Sequence, residues 1–272
     1  MIRLLHASDL HFGKPSVPAQ VAALEAFARA SPWDAIIISG DLSQRSRTRE
    51  FLQARAFLDR MGEVAPVFVI PGNHDVAWWM APVGLGDTLS MYSRYRRHIC
   101  AELDPVMRRT GVTIASVNSS HGIRPFTLTT RPRDLCVVGA VRPRQWKHAA
   151  AQFAASGDDL KVHGMHHNLL RGNLSNRWGL AARAHGIADA AATGADLVLC
   201  GHDHEERVAQ VTAGGRTFVV STASTLTTRV RGQRAASFNA IEADAGAITV
   251  RVQAWDAASG AFAPGAATSF AR

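Results

Sequence analysis

Cysteine is scarce. The 272 residues hold three, Cys100, Cys136 and Cys200, far apart and odd in number. Neither a disulfide framework nor a CxxC metal or redox site is suggested, and the three are expected as small buried hydrophobes in a reducing cytoplasm. Long apolar runs are missing too. None approaches membrane-spanning length, and the apolar start at residues 1–8 is too short for a secretion signal and leads straight into polar residues. There is no low-complexity tract, internal repeat or long linker. Lysine is nearly absent, so the formal net charge of +8 is carried almost wholly by arginine. No basic run resembles a nucleic-acid-binding arm; the densest stretches, 45–49 and 94–97, are short and interrupted. A solvated, Arg-rich surface accounts for this charge. Attraction of a phosphate-bearing substrate or of nucleic acid is the competing reading, and charge alone decides little between them.

What remains is globular: 47% hydrophobic and 19% charged residues in a chain long enough for one large core. Short apolar runs alternate with amphipathic stretches, the one at 35–39 (AIIIS) being β-branched. Strands are predicted at 2–7, 35–39, 67–70, 112–116, 136–140, 160–165 and 197–200. Helices are predicted at 19–30, 49–61, 143–155 and 180–192, with one or two more within 89–107. From residue 207 four consecutive strands follow, 207–212, 217–221, 237–242 and 248–255, with turns at Gly214-Gly215 and Ala245-Gly246. The expectation is an α/β layered sandwich forming a single domain over 1–272, with the C-terminal β-meander, about 206–256, part of the same core.

Polar residues collect where the apolar strands stop. The first strand ends in Ser8-Asp9-Leu10-His11, the second in Gly40-Asp41, the third in Gly72-Asn73-His74-Asp75. The strand at 160–165 ends in His166-His167, and that at 197–200 in Gly201-His202-Asp203-His204. Ligands of α/β sheets gather at the carboxyl ends of strands, and five ends delivering His, Asp or Asn to one edge are hard to explain by packing. Such oxygen and nitrogen donors, with no thiolate among them, suit divalent transition metals. Asp9 and His11, like His202 and His204, lie two apart, which in an extended segment puts both side chains on one side.

In this order the motifs resemble those of the calcineurin-like metallophosphoesterases, DxH, GD, GNH[DE], H and GHxH, over residues 2–222. The compact layout is most similar to the class III cyclic-nucleotide phosphodiesterases. The resemblance implies a four-layer αββα sandwich and two divalent or trivalent transition-metal ions, Mn, Fe or Zn. It implies one metal held by Asp9, His11, Asp41 and His204, and the other by Asp41, Asn73, His166 and His202, with Asp41 bridging. Of the adjacent pair it favours His166 over His167, with His163 a distant third. A hydroxide shared by the two ions would then attack a phosphate ester. His74 would donate a hydrogen bond or proton to the phosphoryl or leaving oxygen, and Asp75 would either orient His74 or cap the next segment. Asp203 reads as exposed or as a support to its two neighbours.

Substrate contacts are assigned to His167 and Asn118, with His121 a weaker choice; for Asn118 and His121 loop hydrogen bonding explains them equally well. Trp78, Trp79 and Tyr92 would stack on a base or pack as a cap, and Arg124, Arg131, Arg171 and Arg177 are further phosphate candidates. Residues 223–229 (ASTLTTR) have no assigned role. The expected activity is hydrolysis of small phosphodiesters such as 3′,5′-cyclic nucleotides by a cytoplasmic enzyme, with a small phosphate-ester substrate as its partner, no requirement for nucleic acid, and a homodimer left open. Monoester or protein phosphatase, lipid-linked diphosphate hydrolase and nuclease activities are the alternatives, and a non-catalytic interaction scaffold a distant one.

Overall fold

The three short apolar runs nearest the N-terminus pair side by side. In the computed structural model, which describes residues 1–80, 90–123, 127–128, 136–181 and 183–272, with the side chains of Trp78, Arg183 and Ala184 left aside, β1 (Ile2–Ala7), β2 (Ala35–Ile38) and β3 (Val67–Val69) are parallel neighbours. The helices α1 (Pro18–Arg29) and α2 (Thr48–Gly62) make the crossovers between them. A second set, β5 (Val112–Ser116), β6 (Leu160–Gly164) and β7 (Leu197–Cys200), is likewise parallel, with α4 (Pro143–Ala154) and α5 (Arg183–Ala192) as crossovers. The short helix α3 (Ser93–His98) lies between the two sets in sequence.

The last quarter divides rather than forming one meander. The hairpin of β8 (Arg207–Ala213) and β9 (Arg216–Thr222) joins the second sheet, with β9 parallel to β7. The strands β10 (Ser237–Ala243), β11 (Ala247–Asp256) and β12 (Ala261–Ala271) run antiparallel and join the first sheet, where β10 pairs with β1. Two mixed six-stranded sheets result, in the orders β12-β11-β10-β1-β2-β3 and β4-β5-β6-β7-β9-β8, where β4 is Val106–Arg109.

Side-chain alternation sets the layers. Leu4, Ala35, Ile37 and Phe68 face inward and meet Ile114, Val162, Leu197, Leu199 and Val219 of the other sheet in a dry central layer. Their chain neighbours Leu5, Ile36 and Ile38 point the other way, onto Leu24 of α1 and Phe51 and Phe57 of α2. On the far side Val198 and Val220 pack under Trp146 and Phe153 of α4 and Ala190 of α5. A strand buried on both faces reads as a continuous apolar run, not an alternating one. The outcome is the expected αββα sandwich.

One predicted strand does not form, the expected helix within 89–107 is short, and β4 and β12 have no counterpart among the predicted strands. Residues 136–140 form a turn, with Gly139 alone bridging to Leu180. β6 is already flanked by β5 and β7, so no inner slot is open beside it. Within 89–107, α3 is followed by β4, whose two arginines are exposed on a sheet edge. β12 was not anticipated: AFAPGAATSFA is poor in β-formers and mostly exposed, and it is held by pairing with β11 across a register shift at Arg251–Gln253. Edge strands tolerate such Pro- and Gly-bearing sequences. No described helix is long and apolar enough to cross a membrane. The three cysteines are free, and burial pushes the Cys200 thiol up to about 12.

His163 is fully buried against Trp146 and Phe153, with Nδ1 on the Ala115 carbonyl and Nε2 on the Thr193 hydroxyl. It belongs to the helix-covered core and takes no part in the strand-end cluster. Burial lowers its pKa from 6.5 to about 4. The folded state therefore resists a proton that the unfolded chain takes up below about pH 6.5. Its stability contribution is intact above that value and is lost as pH falls toward 4, by up to about 3 kcal/mol. Urea midpoints at pH 7.5 and 5.0 should show a fall that is smaller in His163→Phe; an identical fall in both proteins would refute this assignment.

Candidate metal centre

The parallel pairing of β1–β3 and of β6–β7 brings the five polar strand ends to one edge of the sandwich. Two hydrogen bonds lock the sheets together there: the His202 N–H donates to Asp9 Oδ2 at 2.8 Å, and His166 Nδ1–H donates to the Ser39 carbonyl at 2.8 Å.

The backbone at these ends is not extended. Asp9 (φ 55°), His11 (42°), Asp41 (52°), His202 (76°) and His204 (55°) all occupy the left-handed region. Each such residue costs a non-glycine about 1–2 kcal/mol, and strain of this kind concentrates at functional sites. The two-residue spacing thus works for a different reason than strand alternation. Left-handed turns at both residues of each pair, not a pleat, point both side chains into the cluster.

Close approach depends on glycine. A Cβ on Gly72 would lie 2.1 Å from Asp41 Oδ1 and 2.2 Å from the Asp41 nitrogen. One on Gly201 would overlap the Ser8 hydroxyl. Gly72→Ala should therefore displace Asp41, costing about 1–3 kcal/mol as overpacking does and lowering metal content. Thermal melting with metal analysis would check this; unchanged metal content would refute it.

Two donor sets meet at Asp41. In the first, His11 Nε2 lies 3.7 Å from Asp9 Oδ1, 3.6 Å from Asp41 Oδ2 and 3.1 Å from His204 Nε2, and His204 Nε2 lies 3.2 Å from Asp9 Oδ1. In the second, His166 Nε2 lies 3.4 Å from Asp41 Oδ2 and 3.0 Å from Asn73 Oδ1, which is also 3.0 Å from His202 Nδ1. Asp9, His11 and His166 are fully buried and Asp41 nearly so. Donors about 2.0–2.2 Å from one cation sit about 3–3.5 Å from each other, which is close to the spacing of both sets.

The outer hydrogen bonds fix which lone pairs face inward. His204 Nδ1–H donates to the Arg229 carbonyl at 2.9 Å, and His166 Nδ1–H to that of Ser39, so Nε2 of each ring faces the carboxylates. Asp9 Oδ1, buried, has no hydrogen-bond donor. With His204 neutral, its Nε2 lone pair and Asp9 Oδ1 converge beside His11 Nε2, an arrangement that a cation complements. The residues present fit a pair of divalent ions.

The electrostatics agree. Burial raises the Asp9 and Asp41 carboxyls, but His204 and His11 beside Asp9, and His166 and His74 beside Asp41, outweigh it and hold both well below the usual range. Burial lowers His166, yet Asp41 carries it up to about 9. His202 has no carboxylate that close, and burial together with the charge of His166 lowers it to about 3. Both carboxylates are thus anionic at neutral pH.

Several expected roles do not survive. Asp75 does not orient His74: its buried carboxylate accepts from the backbone of Leu42, Ser43 and Gly72 and from the Ser43 hydroxyl. It braces the 41–43 turn against the 72–75 turn, and burial with the Asp41 charge raises it to about 6. The His74 ring is held instead by the Gln44 carbonyl, 2.8 Å from Nδ1. His167 has Nδ1 on Ser119 Oγ and Nε2 on the Val137 carbonyl, so neither nitrogen is offered to metal or substrate. Asn118 is buried, its amide on Tyr92 Oη and its carbonyl accepting from Ser120 N–H, a loop role rather than a substrate contact. Asp203 is buried, not exposed, and accepts from the Ser175 hydroxyl at 2.7 Å. Arg171 contacts the Asn176 carbonyl, and Tyr92 donates to that of Ser120. Trp79 is half exposed at the mouth of the cleft. Arg124 and Arg131 lie outside the described residues.

The stretch 223–229 acquires a role that composition did not signal. Thr225 Oγ1 donates to the Asp9 carbonyl at 2.6 Å, Ser224 Oγ to that of His204, and the Arg229 carbonyl holds His204 Nδ1.

A family model described as calcineurin-like phosphoesterase matches residues 2–206. The chain belongs to that family. No curated protein matches this calcineurin-like phosphoesterase in sequence. Among solved structures it resembles the purple acid phosphatase PPD1 from yellow lupin (Lupinus luteus) seeds, with a TM-score of 0.66 and 12% identity over 100% of this chain and 54% of that one. It therefore spans about half the length of that enzyme. It also resembles GAP50 of Plasmodium, at TM-score 0.56 and 12% identity, covering 93% of this chain and 84% of that one. At such identities the likeness is one of fold.

Proposed function

We propose that this calcineurin-like phosphoesterase hydrolyses small phosphodiesters, 3′,5′-cyclic nucleotides among them. The observation that carries the reading is the shared carboxylate: Asp41 Oδ2 stands 3.6 Å from His11 Nε2 and 3.4 Å from His166 Nε2, between the two donor sets. When bound, a pair of cations supplies an acidified water as nucleophile and neutralises charge on the phosphoryl oxygens.

The chain's own residues do the rest. Asp9, His11, Asp41 and His204 would hold one ion, and Asp41, Asn73, His166 and His202 the other. Asn73 and His74 open onto a cleft of about 630 Å³ whose other wall includes Val76, Trp79 and Val137. That apolar wall accommodates an organic ester substituent. A His74 ring nitrogen lies within 4.8 Å of donor atoms of both His11 and Asp41. With Nδ1–H tied to Gln44, Nε2 is the atom left to pass a proton to the leaving oxygen.

GAP50 is described as an anchor in the inner membrane complex, so the scaffold reading has a neighbour in fold. The complete donor set and five strained residues disfavour it here. The test is a hydrolysis panel on Mn-loaded protein: bis(p-nitrophenyl) phosphate, p-nitrophenyl phosphate, cyclic AMP and nucleoside diphosphate conjugates. Diester cleavage is expected. Cleavage of monoesters alone would overturn the diesterase reading, and inertness of protein carrying two ions would leave the scaffold.

A further inference from the structure

The arginines of the stretch 45–49 are exposed, but they sit around a concavity rather than on a flat face. Arg45, Arg47 and Arg49, with Lys14 and Arg229, line a second cleft of about 490 Å³. It shares Gln44, Arg45 and Arg47 with the cleft that Asn73 and His74 open onto, so the two adjoin along that loop. Glu50 is the only acid in its lining. One oxygen of its buried carboxylate, Oε2, accepts from the backbone N–H groups of Arg45 and Arg47, at 2.8 and 3.2 Å. It anchors the loop and pairs with none of the five cations. Among the described residues, no carboxylate forms an ion pair with any of them.

The wall of this cleft is also the backbone that aims the reactive histidines. The Gln44 carbonyl holds His74 Nδ1, while the Gln44 side-chain oxygen accepts from Arg229 Nη1 at 3.2 Å. The carbonyl of the same Arg229 holds His204 Nδ1. Five like charges gathered beside a phosphoester site repel one another, and a solvated surface gives no reason to gather them in a concavity. An anion relieves that repulsion, and planar guanidinium forks match phosphate oxygens.

From this we infer that the Lys14/Arg45/Arg47/Arg49/Arg229 cleft binds a second phosphate of the substrate. The preferred substrate is then a phosphodiester that carries a further phosphate group beyond the one cleaved. This rests on the phosphodiesterase reading above and narrows it: a cyclic mononucleotide would occupy only the cleft beside the donor sets.

The test compares a nucleoside 5′-monophosphate with the matching nucleoside 3′,5′-bisphosphate. Each is used as a competitive inhibitor of bis(p-nitrophenyl) phosphate hydrolysis by Mn-loaded protein, and each is titrated calorimetrically. The bisphosphate should bind about tenfold more tightly or better, with an advantage that shrinks as salt rises. In Lys14→Glu/Arg49→Glu and, separately, Arg45→Glu/Arg47→Glu, the advantage should fall to under about threefold while circular dichroism is retained; all four positions are exposed, so folding is not at stake. Equal affinities in the unaltered protein, or an advantage that persists in both variants, would overturn the inference. If the Mn-loaded protein hydrolyses nothing yet the calorimetric difference appears, the second-phosphate site stands and the activity reading fails; the converse pattern separates them the other way.

Discussion

Asp41→Asn should cost the protein both ions together. One carboxylate oxygen faces His11 on one side and His166 on the other, and an amide offers neither the charge nor two strong acceptors. Metal analysis of protein purified without chelator is expected to fall from about two ions per chain to below one, and kcat/KM to drop about 10³-fold or more, about 4 kcal/mol of transition-state stabilisation. The isosteric change leaves the 72–75 turn its spacing, although the His74 N–H, which donates to Asp41 Oδ1 at 2.8 Å, keeps only a neutral acceptor. Folding should survive. A variant that keeps two ions bound would refute the shared-carboxylate reading, because Asp41 Oδ2 is the atom that faces a histidine of each set.

His74→Ala should behave in the opposite way: full metal content with slow turnover. Positioned acid–base groups contribute about 10²–10⁴-fold. The loss should depend on the leaving group. An alkoxide needs a proton as the bond breaks, and p-nitrophenolate scarcely does. The variant is therefore expected to lose about tenfold on bis(p-nitrophenyl) phosphate but far more on an alkyl ester. A uniform loss across leaving groups would assign His74 to substrate binding, and metal loss would make it a ligand. Since Gln44 is the residue that aims this ring, shortening the 44–47 loop should reproduce part of the defect without touching His74.

Much of this is legible in the sequence. The apolar runs at 2–7, 35–39 and 197–200 are strands because both of their faces are buried, and the five polar strand ends meet because parallel strands finish on one edge. What escaped reading shares a physical cause. The choice of αL backbone at Asp9 or His204 is imposed by tertiary contacts, and the residue type carries little trace of it. The carbonyls of Ser39, Gln44 and Arg229 orient three rings, yet every residue has a carbonyl, so sequence holds no mark of which ones matter. Asp75 follows His74 in the chain and so looked like its partner, whereas the turn sends its carboxylate backward, onto Leu42 and Ser43. His167 looked available because its neighbour is a donor; only packing revealed that Ser119 and Val137 had taken both nitrogens. β12 was missed because an edge strand is specified by its neighbour's unpaired backbone more than by its own propensity.

The donor sets draw on both sheets: Asp9, Asp41 and Asn73 from one, His166, His202 and His204 from the other. An ion seated among them would be a clasp between two halves of the molecule whose other contacts are an oily central layer and a few hydrogen bonds, His202 N–H to Asp9 among them. Neither half offers the full donor set alone, so binding the ion and docking the two sheets are linked. Each ion added at a hundredfold excess over its dissociation constant would deepen the native well by about 2.7 kcal/mol. A chelator should accordingly act on this protein as a mild denaturant, loosening the seam between the sheets before it disturbs either one.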